Sequence, residues 1–152
     1  MALSASHLMG RSRIMRSHRC EVMMDRNELI RLAREAREQA YAPYSHFAVG
    51  AALLGASGRV YTGCNVENVS YGLTVCAERV AMFKAVSEGE REFEAIAVVT
   101  SSGVPPCGAC RQVLREFGPG LEVIVAWTDG DDYEVYPLRK LLPHSFDSMQ
   151  NC

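Results

Sequence analysis

Apolar residues at Leu29, Ala33, Ala36 and Ala40 recur at a helical period, after an Asp25/Glu28 pair spaced as a helix-start box. They predict a first helix running to the stop at Ala42-Pro43. The run from Phe47 to Leu54 is apolar and strand-like. Gly55-Ala56-Ser57-Gly58 then supplies a turn into a second strand, Arg59 to Cys64, so the two form a hairpin. Asn65 to Leu73 is a polar loop, of the kind that carries function on a rigid frame. From Val75 to Glu88 the chain is helical by composition and apolar over most of its circumference, which predicts a central buried helix. Glu94 to Thr100 and residues 121 to 127 are continuous apolar runs separated by a helix over 107 to 117. Such a unit implies a parallel strand pair with a right-handed crossover. Asp129-Gly130-Asp131 turns the chain into a last strand at Tyr133 to Tyr136, and Pro137 to Leu142 makes a final helical turn. The fold class is α/β, a mixed sheet of about five strands flanked by helices.

Composition narrows the setting. At 152 residues, 48% of them hydrophobic, the chain suits one domain with a substantial core. Residues 1–24 stand apart: Arg11, Arg13, Arg16 and Arg19 sit among serines and methionines, with Glu21 as the only acid. They are expected to be a disordered tail, with a leader or a translated stretch upstream of a start at Met24 as alternatives. Without them the body carries 12 basic against 17 acidic residues, a net charge of −5. The domain is placed at 25–147 and a C-terminal tail at 148–152. An acidic body argues against a nucleic-acid partner, and no apolar run approaches bilayer length, so no membrane partner is expected. Six cysteines at this density, two of them in a C-x-x-C, point to a reduced, cytoplasmic compartment rather than a disulfide framework.

The candidate chemistry lies in two stretches, Thr74-Val75-Cys76-Ala77-Glu78-Arg79 and Pro105-Pro106-Cys107-Gly108-Ala109-Cys110-Arg111, each at the start of a helix. Ligands bind beyond the carboxyl ends of parallel strands, and helix N-termini favour thiolate over thiol. Three sulfur ligands leave a tetrahedral zinc with one open position, whereas a structural site closes all four. A lone cysteine is more often a small buried hydrophobe, and Cys64 is read that way; Cys20 and Cys152 are given no role. The competing reading is a four-cysteine structural knuckle that recruits Cys64. Glu78 alone is explicable as an acid near a helix N-terminus, but an open zinc needs a proton shuttle, and a carboxylate beside it supplies one.

Cys76-Ala77-Glu78 followed by Pro106-Cys107-x-x-Cys110 resembles the zinc-dependent cytidine deaminases in their small-subunit form. Phe47 to Ala52, Gly63-Cys64-Asn65-Val66-Glu67-Asn68 and Leu141-Leu142-Pro143-x-x-Phe146 are similar to that family as well. The resemblance implies a cytidine deaminase-like three-layer α/β/α fold and one zinc per subunit, held by Cys76, Cys107 and Cys110. It implies hydrolytic deamination of cytidine and deoxycytidine, with Glu78 carrying protons to the ring nitrogen and the departing amine. Arg79 would hydrogen-bond ligand sulfurs and offset the negative cluster, a role for which Lys84 and Arg111 have weaker claims. Asn65 and Glu67 would hold the ribose 3'-hydroxyl, Phe47 would pack near the base, main chain near Ala77 would hold the ring edge, and Tyr71 would border the site. The family's small-subunit enzymes are homotetramers, and Phe146 matches the C-terminal aromatic that enters a neighbour's site. Two rival functions stand beside this one: a deaminase of a modified nucleoside or nucleoside antibiotic, and a non-catalytic zinc-stabilised interaction module.

Overall fold

The computed structural model describes residues 24–146; the expected extension up to residue 23 and the tail at 148–152 lie outside them. The elements in chain order are α1 (Arg26–Arg37), β1 (Gly50–Gly55), β2 (Val60–Cys64), α2 (Ala77–Ser87), β3 (Phe93–Thr100), α3 (Gly108–Phe117), β4 (Glu122–Trp127), β5 (Tyr133–Pro137) and α4 (Leu138–Leu141). A single 3₁₀ turn at Tyr71–Leu73 lies in the loop before α2. Among the described residues no helix is long and apolar enough to cross a membrane.

The five strands form one sheet in the order β2-β1-β3-β4-β5. Only β3 and β4 run parallel, joined through α3 as the two apolar runs implied, and every other neighbouring pair is antiparallel. The continuous apolar runs have a simple cause, because the sheet is covered on both faces. Ala52, Leu54, Ala95, Ala97, Val99, Ile124 and Ala126 pack with Leu29, Ile30 and Ala33 of α1. The alternate residues Ala51, Leu53, Ile96, Val98, Val123 and Val125 pack with Ala77, Ala81, Met82 and Ala85 of α2, Leu114 of α3 and Leu138 of α4. The result is a helix layer, a sheet and a second helix layer.

Two glycines set how closely the helices approach. A Cβ on Gly50 would lie 2.0 Å from the Ala33 carbonyl oxygen of α1, and one on Gly63 would lie 2.5 Å from the Ala77 carbonyl oxygen of α2. Backbone therefore packs on backbone at both contacts, which only glycine allows. Register then collects the site. Gly50 pairs with both Cys64 and Val99, so residues 47–49, 65–67 and 101–107 all leave the sheet at one edge.

Two element boundaries lie three or more residues from the sequence expectation, and one helix cap differs in kind. α1 ends at Arg37, five residues before Ala42, because Glu38, Gln39 and Ala40 donate to carbonyls three residues back and Tyr41 N–H turns to the Asn65 carbonyl. Asp25 caps the helix by accepting from Asn27 N–H at 3.3 Å, but Glu28 pairs with Arg31 instead of completing the box. The first strand begins at Gly50 rather than Phe47, since the Phe47 carbonyl and Val49 N–H are bonded to the Asn65 side chain and the Ala48 carbonyl to Arg37 Nε rather than to a neighbouring strand.

Candidate metal centre and its cavity

Cys76 and Cys107 are the N-cap residues of α2 and α3, both with extended backbone, and neither side chain caps its own helix. Cys110 follows in the first turn of α3 and is fully buried. The three sulfurs lie within 4.8 Å of one another. Zinc–sulfur bonds of about 2.3 Å place the sulfurs of a tetrahedral site about 3.8 Å apart, so this cluster accepts the ion with a contraction of about 1 Å or less. Cys64, the fourth candidate, faces elsewhere and donates to the Gln39 carbonyl at 3.3 Å. Three soft ligands without Cys64 fit an open zinc site better than a closed one.

The electrostatics of the cluster favour a cation. The hydrogen bond from Cys110, helped by the Arg79 guanidinium against the opposing effect of burial, lowers the Cys76 thiol to about 5. Cys110, which gives that hydrogen bond and is buried, is pushed up and keeps its proton. A divalent cation replaces a proton shared in this way. Arg79 Nη2 donates to the Thr74 carbonyl at 3.1 Å and lies 3.7 Å from Cys76 Sγ, while its Nε is buried without a partner.

Glu78 stands in the first turn of α2, 4% exposed, and its Oε2 is a buried oxygen with no hydrogen-bond partner. Burial pushes its carboxyl up to about 7; a backbone hydrogen bond opposes this and the Cys76 thiolate reinforces it. A cation on the sulfurs pulls it down from there. Cys76, Cys107 and Glu78 line one cavity of about 250 Å³ together with Phe47, Asn65 and Glu67. Its wall also includes Ser45, Val49, Thr74, Val98, Thr100, Val104 and Pro105, none of which took a role in the sequence reading, although Thr74 and Pro105 open the two cysteine stretches. Ser45 and Thr74 carried a usable signal, as hydroxyls just before Phe47 and just before Cys76.

Asn65 and Glu67 both brace the segment before β1. Asn65 Oδ1 accepts from Val49 N–H at 2.9 Å and its Nδ2 donates to the Phe47 carbonyl at 2.8 Å. Glu67 accepts from Tyr44 N–H at 2.9 Å, Ser45 N–H at 3.2 Å and the Ser45 hydroxyl. Those bonds, the Ser45 hydroxyl foremost, hold its carboxyl below the usual carboxylate range. Three other candidates sit apart from this cavity. Tyr71 lines a neighbouring one of about 310 Å³ with Tyr44, Ser45, Glu67 and Thr74. Ala77 is fully buried, with its carbonyl against Gly63. Phe146 is 74% exposed, and its carbonyl accepts from Gln112 Nε2 at 3.1 Å. Lys84 donates to the Thr62 carbonyl in β2.

Comparison with known proteins agrees with this geometry. The family model for the cytidine and deoxycytidylate deaminase zinc-binding region matches residues 23–126. A cytidine deaminase of Halalkalibacterium halodurans is 56% identical over 126 residues, covering 81% of this chain and 95% of that one. One from Sporosarcina psychrophila is 53% identical over 125 residues, covering 81% and 92%. The crystal structure of cytidine deaminase from Burkholderia pseudomallei superposes with a TM-score of 0.78 at 52% identity, over 81% of this chain and 100% of that one. With its zinc-binding region matched over most of the described residues and full-length relatives above 50% identity, the chain belongs to the cytidine and deoxycytidylate deaminase family.

Proposed function

We propose that the protein deaminates cytidine and 2'-deoxycytidine hydrolytically, giving uridine or 2'-deoxyuridine and ammonia, in the reduced cytoplasmic setting of pyrimidine salvage. The observation that carries this is the partnerless Glu78 Oε2 in the same cavity as the Cys76 and Cys107 sulfurs. Cys76, Cys107 and Cys110 hold one zinc per subunit, and the Arg79 guanidinium beside Cys76 Sγ offsets the excess negative charge. Bound there, zinc supplies a Lewis acid that lowers the pKa of a water from about 15.7 toward about 7. Glu78 would take a proton from the attacking water at Oε2 and pass it to the ring nitrogen, then take the proton of the hydroxyl added to the ring carbon and pass it to the departing amine; a buried carboxyl with one oxygen free of partners suits both transfers.

Phe47 packs against the base, Ala77 contributes main chain near the ring edge, and Tyr71 borders the sugar from the neighbouring cavity. Asn65 and Glu67 grip the sugar with what the brace leaves unused. A carboxylate offers about four acceptor sites and an amide two donors and two acceptors, so Glu67 keeps one acceptor and Asn65 one N–H. A sugar hydroxyl donates to the first and accepts from the second. Among the described residues neither cavity has a lysine, arginine or histidine in its wall, and both carry Glu67, so a 5'-phosphate placed there meets an ionised carboxylate. This favours nucleosides over nucleotides.

The test is the ultraviolet change on deamination, followed for cytidine, deoxycytidine, cytosine and cytidine monophosphate, with zinc per chain measured on the same sample. Both nucleosides should turn over, far faster than the free base or the monophosphate, at one zinc per chain. Equal turnover of cytosine would contradict the sugar grip and move a deaminase of modified bases or nucleosides ahead.

A further inference from the structure

We propose that Arg111 is the positioning residue for Cys107, its side chain holding the peptide group that leads into this ligand. The inference rests on the zinc reading above. Cys107 ends a loop that has little means of fixing itself. Pro105 and Pro106 have no N–H to donate, and the last main-chain donor before them, Val104 N–H, is spent on Thr100 Oγ1 at 3.2 Å. The carbonyls on either side of Cys107 are both occupied, the first by the Arg111 side chain and the second by the opening backbone bond of α3, which any residue but proline would make at this position. Arg111 Nε donates to the Pro106 carbonyl at 2.6 Å, and Arg111 N–H donates to the Cys107 carbonyl at 3.0 Å. Those two peptide planes define φ and ψ of Cys107, and with them the direction of its Cβ and sulfur.

The guanidinium is itself anchored, because Nη1 donates to the Leu141 carbonyl at 2.7 Å, at the end of α4 and 30 residues away in sequence. A surface arginine on a helix would extend into water. This one is half-buried and spans two carbonyls from separate segments, a geometry that the planar fork of arginine matches and a lysine ammonium does not. Cys107 is the most exposed of the three ligand cysteines. It is therefore the ligand that gains most from an external brace, and the arm through which the ion is most readily lost.

Zinc affinity of the folded protein, measured by competition with a chromophoric chelator, tests this. Loss of an outer hydrogen-bond partner of a metal ligand costs about tenfold to a hundredfold in affinity. Arg111→Gln should bind zinc at least tenfold more weakly than the parent. Gln112→Ala, which removes the neighbouring bond from α3 to the Phe146 carbonyl, should match the parent. Arg111→Lys keeps the charge but reaches one carbonyl at most. It should weaken binding at least fivefold, and it carries the test if Arg111→Gln does not fold. Substituting cobalt gives a second readout, since a displaced Cys107 changes the visible ligand-field bands of the ion and a general loss of stability does not. A smaller loss of affinity in the arginine variants than stated, or an equal loss in Gln112→Ala, would overturn the proposal. A parent protein that takes up no zinc would instead overturn the zinc reading itself.

Discussion

Single residues here serve two masters, and Glu67 shows it best. Its carboxylate accepts from the Ser45 hydroxyl and from two backbone N–H groups, so it shapes the wall that carries Phe47 before any substrate arrives. Exchanging it for glutamine removes a charged acceptor, and kcat/KM for cytidine should fall about tenfold to a hundredfold. The same contacts give a pH signature. The folded-state pKa is depressed below the ordinary value of 4.5, so the stability it contributes is complete above 4.5 and is lost as pH falls through the folded value. The melting-temperature gap between parent and Glu67→Gln should therefore be constant above 4.5 and narrow below it; a gap that closes at higher pH would contradict this origin. The clustering of Cys76, Cys107 and Cys110 was legible in the sequence because their spacing is local and joint. The bracing by Asn65 and Glu67 was not, because it depends on partners 16 to 23 residues away that only the folded register brings near.

At the scale of elements, the sheet edge where β1 begins and β2 and β3 end is the platform, and α2 is the part whose placement matters most. Its close seat on β2 depends on Gly63, where an added Cβ would meet the Ala77 carbonyl and, at 2.6 Å, the Ala81 N–H group. Gly63→Ala should cost about 1–3 kcal/mol, as overpacking typically does, and should displace Cys76 and Glu78 with the helix. Gly50→Ala presses on α1, which carries none of the site residues, so it should cost stability with a smaller loss of turnover per folded molecule. Denaturant unfolding and active-site-normalised kinetics on the two variants separate these effects, and equal losses of turnover would contradict the assignment. Periodicity read the strands well because burial on both faces leaves unbroken apolar runs. It misplaced the end of α1 because the alanines up to Ala40 keep the helical pattern, while Tyr41 is drawn off by its pairing with Val66.

The whole molecule presents a site that is open beside an apolar surface. Val69, Tyr71 and Leu73, in the loop before α2, are 66–76% exposed, Tyr71 in the wall of the second cavity, and Phe146 is 74% exposed at the end of the described chain. The homotetramer that the family resemblance implies would cover these residues with neighbouring copies, and Phe146 would enter an adjacent site. Light scattering should give a mass four times that of the 152-residue chain, and Phe146→Ala should raise KM for cytidine; a fully active monomer would exclude the arrangement. This level was the least legible in the sequence, since an apolar residue near a terminus reads equally as an anchor to its own domain. The central claim concerns the chemistry at the metal centre, and one substitution tests it most directly. Glu78→Gln should fold and bind zinc as the parent does, while kcat for cytidine falls about a hundredfold to ten-thousandfold. Turnover within about threefold of the parent at full zinc content would contradict it.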